Sequence, residues 1–330
     1  MRRISIAVGW NGENTEQVIR EAKLADDAGI DSIVVAETWG HDAFTILALL
    51  ARETRRVKLG TAIVNIFSRS PAALAQHFAS LDQLSGGRMF IGLGTSGPNV
   101  IEHFHGVKFE KPFTRMREYV EIIDKLMRGE KLDYEGEVFK LGRGFTLRFA
   151  PLRPHIPIWI ASITPKSVAQ TVAIADGWIP IFLPKERWQD QLGAFHEQVR
   201  TAGKDPAQFT VRCPYSVTVT DTPERAAAAR RGNAAFYIAR RGNFYYEHFV
   251  RMGYKAEADA VRAAWESGGS AAGAAALPDH LVDQLGMAGP VEACCDALDE
   301  AAGAGFTLLS TMVVERDEAK RVEIYRRLVG

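Results

Sequence analysis

Short apolar runs alternate with amphipathic stretches along nearly the whole chain, and no other feature limits the possible folds so strongly. Runs of four to eight β-branched and apolar residues read as buried strands, and apolar residues spaced three or four apart read as helices. Strands are expected at Ile4–Val8, Ser32–Ala36, Val57–Val64, Met89–Leu93, Ile158–Ala161, Trp178–Ile181, within Thr210–Val219 and at Leu308–Val313. Helices are expected over about 15–28, 43–53, 71–85, 114–127 and 318–328, with two more opened by Pro165 and Pro184. Gly29 and Gly86 follow such stretches as left-handed caps, and Pro71 and Pro165 take the first helical position.

Eight strand–helix units with short connections require parallel strands and right-handed crossovers. The fold class predicted is α/β, a (β/α)8 TIM barrel, because a doubly wound open sheet usually ends at about five to seven strands. One barrel domain is expected over 1–330, with two departures from the repeat. The stretch of about 130–150 is a short excursion with a hairpin at Tyr134–Phe139. The alanine-rich stretch 223–289, carrying Phe236, Tyr237, Phe244, Tyr245 and Tyr246, is a long helical insertion after strand seven. Placed there it lies over the C-terminal mouth of the barrel, where lids belong. Its aromatics serve equally well to pack it onto the barrel or onto another subunit.

Composition narrows the partners. The chain of 330 residues carries 40 basic and 40 acidic side chains, so no basic face for nucleic acid is expected. Its three cysteines, Cys213, Cys294 and Cys295, form no CxxC and no zinc spacing, which suits a reducing, cytoplasmic setting. No run approaches the ~18 apolar residues of a membrane helix, and the first strand is too short for a signal-peptide core. His103 and His105 have no acidic or cysteine partner at ligand spacing, so no metal site is expected.

In a barrel, chemistry is sought in the segments that follow each strand. Here they are Gly9–Gly12, Glu37–Asp42, Asn65–Ser70, Gly94–Asn99 and Ser162–Lys166: small, hydroxylic and aromatic, with few charges. They suit a planar ring system with a phosphate attached. Thr95, Ser96 and Gly97 offer hydroxyls and backbone N–H groups at a strand end. Ser162–Lys166 enters a helix whose N-terminus favours an anion, although Thr164 ahead of Pro165 is also an ordinary N-cap. His41, next to Glu37, Trp39 and Asp42, is a candidate for moving a proton near neutral pH. No G-x-G-x-x-G for a dinucleotide fold, no P-loop spacing and no Ser-His-Asp grouping is expected.

These residues resemble a family. Leu59–Asn65 with Ser68–Pro71, then Leu81–Arg88 with Ile91–Gly94, are similar to the bacterial-luciferase-like flavin and deazaflavin oxidoreductases. Pro112–Tyr119, Pro157–Ala161 and Ala175–Trp178 continue the pattern, which covers nearly the full chain and is densest over 20–180. The branch most similar is the one dependent on coenzyme F420, such as methylenetetrahydromethanopterin reductase. The resemblance implies a barrel that binds coenzyme F420 or, alternatively, FMN. It implies a bulge in strand three with a non-proline cis peptide at Ala62–Ile63 behind the central ring. It carries phosphate contacts onto Thr95, Ser96 and Gly97 and onto Ala161, Ser162, Ile163, Thr164, Pro165 and Lys166. Thr38 and Asn65 complete the cofactor set.

Two departures stand out. Strand two ends Glu37-Thr38, with His41 three residues on, where several deazaflavin members have Asp-His. The phosphate loop reads Ser162-Ile163-Thr164 where glycines are common. The expected reaction is hydride transfer between the deazaflavin and a small organic substrate. Trp10, Trp39 and His41 would shape the substrate side, and His41 or Glu37 would move any proton. An FMN-dependent monooxygenase and a non-catalytic cofactor-binding barrel are the alternatives. A homodimer through the helices at about 43–53 and 71–84 is the habit of the family.

Overall fold

A computed structural model describes residues 1–9 and 12–330 of the chain. The strands are β1 Ile4–Val8, β2 Ser32–Val35, β3 Lys58–Thr61, β4 Val64–Asn65, β5 Met89–Gly94, β6 Leu132–Glu135, β7 Lys140–Phe145, β8 Ile158–Ala161, β9 Gly177–Ile179, β10 Thr210–Val211, β11 Ser216–Val219, β12 Gly286–Gly289 and β13 Leu309–Val313. The first seven helices are α1 Thr15–Ala28, α2 Ala43–Glu53, α3 Pro71–Ser85, α4 Pro98–His103, α5 Pro112–Met127, α6 Pro165–Ile174 and α7 Trp188–Thr201. They are followed by α8 Pro223–Arg240, α9 Asn243–Arg251, α10 Lys255–Ala275, α11 Asp279–Gln284, α12 Val291–Ala304 and α13 Glu318–Val329.

All pairings are parallel except the β6–β7 hairpin, and they run as a ring. From β1 the order is β2, β3, β5, β8, β9 and β10. Arg212, just past β10, bridges to Leu308 at the start of β13, and β13 pairs back onto β1. Eight strands thus enclose a barrel, with β10 and β11 as two halves of strand seven. Above Arg212 that strand leaves β9, and β11 lies between β13 and an additional strand, β12.

Inside the ring, Val34, Phe90, Trp159, Ile179 and Leu308 form a closed apolar plug. The Phe90 and Trp159 rings stack at 3.9 Å between centroids. Glycine makes room for them: a Cβ on Gly60 would stand 2.4 Å from the Phe90 ring, and one on Gly177 would stand 2.4 Å from Trp159. Real side chains cannot approach so closely, so the two large rings dictate the two glycines.

Outside the ring, the helices bury their apolar faces against the outward side chains of the strands. Buried carboxylates fasten the loops on the far side from the mouth. Asp26 accepts N–H groups from Arg55, Arg56 and Val57 at 2.7–2.9 Å. Asp82 takes a forked pair from Arg153 at 2.7 and 2.9 Å. Such bonds from fixed donors are how a protein holds an ionised group out of water.

Several expectations shift in register. Strand three is two pieces, because Ala62 and Ile63 bulge between β3 and β4. The peptide bond there is trans; among the described residues none is cis. The trans form avoids the ~3–4 kcal/mol of a non-proline cis bond. The hairpin strands lie at 132–135 and 140–145, so the expected Tyr134–Phe139 mostly forms the turn. The Glu118 carboxylate explains this by accepting the N–H groups of Glu137, Val138 and Phe139 at 2.7–3.2 Å, which leaves the turn no free donors for pairing. Pro180 ends β9 earlier than expected. Between β11 and β12 the chain forms four helices, and α8 and α9 reach over the barrel mouth.

Candidate active site at the barrel mouth

Above the plug the barrel opens into a cavity of about 560 Å³, within the range of small-molecule sites. Most of the expected cofactor residues line it: Thr38 after β2, Ala62, Ile63 and Asn65 on the bulge, and Thr95, Ser96 and Gly97 after β5. Ala161, Ser162, Ile163 and Thr164 after β8 complete that arc of the wall. Pro165 and Lys166 do not reach it; Lys166 turns its Nζ onto the Phe113 ring, 4.6 Å from the centroid.

The bulge and the β5 loop shape each other. A Cβ on Gly92 would lie 2.1 Å from the Thr61 carbonyl oxygen, and one on Gly94 would lie 3.0 Å from Ile63. Contrary to the expectation of none, Gly92-Leu93-Gly94-Thr95-Ser96-Gly97 has G-x-G-x-x-G spacing, and the neighbouring bulge accounts for its first two glycines. That spacing is the sequence signal that marks the loop. Ser96 adopts φ +56°, a left-handed conformation that costs a non-glycine residue about 1 kcal/mol and marks a functional loop when it recurs at a mouth.

Among the described residues, the backbone N–H groups of Ser96, Gly97 and Ile163 have no acceptor. They belong to loops that face one cavity, as an anion would require. Thr164 caps α6 through Ser167, so part of the second loop is ordinary helix capping. Asn65 uses its Oδ1 on the N–H groups of Phe67 and Ser68, at 3.0 and 2.7 Å, which fixes the bulge.

The three candidates for catalysis are not brought together. Glu37 lines the cavity, but Arg69 grips its carboxylate at 2.5 and 3.1 Å and the Ala43 N–H donates to it at 3.0 Å. Asp42 shares Arg69 at 2.5 Å. Burial alone would raise the Asp42 carboxyl, yet bonds from Thr45 and the charge of Arg69 hold it below the usual range. Trp39 is 55% exposed at the rim, with the Arg241 guanidinium 5.0 Å from its ring. His41 is exposed as well, its Nε2 3.2 Å from the Glu13 carbonyl oxygen. Trp10 lies outside the described residues.

The insertion supplies the cover. Tyr237 of α8, Phe244 and Tyr245 of α9, and Arg241 between the two helices line the cavity. His248 on α9 ties them down, with Nε2 at 3.0 and 3.1 Å from the carbonyl oxygens of Ile181 and Phe182. Strand seven adds two residues that lie outside those loops. Arg212 and Cys213 both border the cavity. Burial pushes the Cys213 thiol up to about 12, so it stays protonated and is no nucleophile near neutral pH.

A barrel whose mouth combines a bulged third strand with two anion-ready loops defines a class. The family model for luciferase-like monooxygenases matches residues 3–308, and the chain belongs to that family. Among curated proteins, a putative coenzyme F420-dependent oxidoreductase of Mycobacterium tuberculosis is 33% identical, over 97% of this chain and 96% of its own length. A 5,10-methylenetetrahydromethanopterin reductase of Archaeoglobus fulgidus is 28% identical over 92% of this chain and 91% of its own. The solved coenzyme F420-dependent tetrahydromethanopterin reductase of Methanopyrus kandleri superposes with a TM-score of 0.81. It covers 99% of this chain and 97% of its own at 22% identity, which shows the shared fold. No helix among the described residues is long and apolar enough to cross a membrane.

Proposed function

We propose that this chain is an oxidoreductase that transfers a hydride between coenzyme F420 and a small organic substrate. The observation that carries the reading is the pair of loops with unpartnered N–H groups, Ser96–Gly97 and Ile163, flanking the Ala62–Ile63 bulge on one cavity. The names of the relatives supply the cofactor. The donor set fits it: backbone N–H groups and the hydroxyls of Thr95 and Ser96 suit a phosphate, and the bulge against Gly94 suits a flat ring. When bound, the deazaflavin supplies the ring carbon that gives or takes the hydride.

The protein binds, orients and keeps water out. Ser96, Gly97 and Ile163 hold the phosphate, and Ala62 and Ile63 back the ring. Tyr237, Phe244 and Tyr245 close the mouth, which strengthens every polar contact beneath them. Glu37 serves to hold Arg69 and the start of α2. Trp39 and His41 sit on the rim, where they meet a substrate entering or leaving. A single barrel unit acting as a cytoplasmic homodimer through α2 and α3 completes the proposal; Leu49 and Leu84, exposed on those helices, support it.

A second reading, an FMN-dependent monooxygenase, is favoured by solved neighbours such as 3,6-diketocamphane monooxygenase in complex with FMN. Absorbance and fluorescence titrations with coenzyme F420 and with FMN separate the two. Tighter binding of the deazaflavin supports the first reading and justifies a screen of reducible enones and imines. Preference for FMN moves the function to the second, and binding of neither undoes both.

A further inference from the structure

Three charged side chains border the cavity: Glu37, Arg212 and Arg241. Glu37 is neutralised by Arg69, and Arg241 lies among Trp39, Phe236 and Tyr237 at the entrance. Arg212 is different, because it stands on the inner wall of the barrel. Its bridge partner Leu308 belongs to the inner plug and Val211 before it to the outer core, so the pleat turns Arg212 inward. Its Nε donates to Ser310 Oγ at 2.8 Å.

No carboxylate among the described residues pairs with Arg212, and its Nη1 and Nη2 have no partner either. Both stay accessible from the cavity, though protein surrounds the side chain. Burial disfavours its charge. Three other arginines drawn into this fold are met by acceptors, Arg153 by Asp82, Arg69 by Glu37 and Asp42, and Arg88 by four backbone carbonyls, whereas Arg230, away from the cavity, shares the lack of one. A second group beside Arg212 is also unmatched. Ser5, in register with Ser310, is fully buried and borders the cavity, and its Oγ has no hydrogen-bond partner.

This corner faces the loops given to the cofactor. The bulge, the β5 loop and the β8 loop occupy one arc of the ring, with β2 and β9 beyond its ends. Arg212, Ser310 and Ser5 stand on strand seven, β13 and β1, which form the opposite arc. Met312, Phe244 and Tyr245 provide apolar surface above them. One forked guanidinium with one hydroxyl, and no second cation beside it, matches a planar monoanion better than a phosphate.

We propose that the substrate carries a carboxylate, bound across Arg212 Nη1 and Nη2, while its apolar body lies under Met312 and Phe244. The inference rests on the oxidoreductase reading for the word substrate, and it makes that substrate an organic acid. The carboxylate supplies the counter-charge that the inner wall lacks and fixes which end of the molecule faces the cofactor arc.

The test uses benzoate and benzamide, two probes of equal shape that differ in charge, in calorimetric titrations with the full chain. They are run on the protein alone and on the protein loaded with coenzyme F420, for the natural sequence, R212M and R212K. The expected result is a preference of about tenfold or more for benzoate, abolished in R212M and reduced in R212K, with affinity for F420 unchanged. R212M should melt no lower than the natural chain, because it removes an uncompensated buried charge. If R212M does not fold, a selective loss of benzoate binding in R212K decides the matter. Equal or undetectable binding of the two probes overturns the proposal, as does a preference that survives in R212M. Competition between benzoate and F420 also overturns it, because the anion held at Arg212 would then be the cofactor's own. Failure of F420 to bind, with the benzoate preference intact on the protein alone, would sink the cofactor reading and leave the carboxylate site standing.

Discussion

Acid should loosen the cover of the cavity through one side chain, His248. Its imidazole is 4% exposed and meets two carbonyl oxygens through one nitrogen, so Nε2 carries the proton and the ring is neutral. Burial pushes its pKa down to about 4, and the nearby charge of Arg251 acts in the same direction. In the unfolded chain a histidine titrates near about 6.5, so between these two values the unfolded state holds the extra proton. The contribution of His248 is therefore full above about pH 6.5 and shrinks as the pH falls toward 4. The loss is about 2 kcal/mol at pH 5 and about 3 kcal/mol at pH 4. Urea denaturation of the natural chain and of His248→Gln at pH 7.5 and 5 reads this directly, since other groups titrate alike in both and cancel in the difference. The natural chain should lose about 2 kcal/mol more than the variant over that interval. Parallel pH dependences, within about 0.5 kcal/mol, would show that the histidine does not hold α9 in the way described.

Three further outcomes follow from the same contacts. His155, between Asp124 and Asp176 at 2.8 Å each, has its pKa raised to about 10 by those bonds. Its stabilisation is full below about pH 6.5 and lost as the pH rises toward 10. Half-exposure screens it to about 1–2 kcal/mol, and His155→Gln should flatten the fall in melting temperature between pH 6 and 9. Glu37→Gln should cost about 2 kcal/mol in denaturation, because Arg69 keeps Asp42, and should shift F420 affinity less than about threefold. A large change in affinity with stability intact would instead make Glu37 a ligand-binding residue. Gly60→Ala drives a Cβ to 2.4 Å from the Phe90 ring and 2.5 Å from its carbonyl oxygen, and should destabilise by about 3 kcal/mol. A loss under 1 kcal/mol would mean that the plug is soft.

What the sequence reveals and what it hides divide along a physical line. Alternating strands and helices are visible because each element writes its own period, and Gly29, Gly86 and Gly305 mark helix ends because left-handed φ values of 87°, 70° and 115° suit glycine. Long-range partners write no period. Glu37 and Asp42 look like a proton-handling pair next to His41, until Arg69, far along the chain, is seen to hold both. Periodicity hides the break of strand three for the same reason, since it depends on Gly92 and Gly94 of the neighbouring strand making space, and only the family resemblance points to it.

Strand seven shows where such reading could have gone further. In Val211-Arg212-Cys213 the charged residue stands between two small apolar residues of the core, and a barrel strand leaves only its interior for it. Period two alone therefore places an arginine inside the barrel before any contact is known. A charge at a position that should be apolar is the kind of conflict that local rules resolve badly, and function is the usual reason for keeping one. The loops after the strands follow the pattern by which a barrel places its chemistry. The inward charge on strand seven breaks the pattern rather than following it, and for that reason it says more about what the cavity holds.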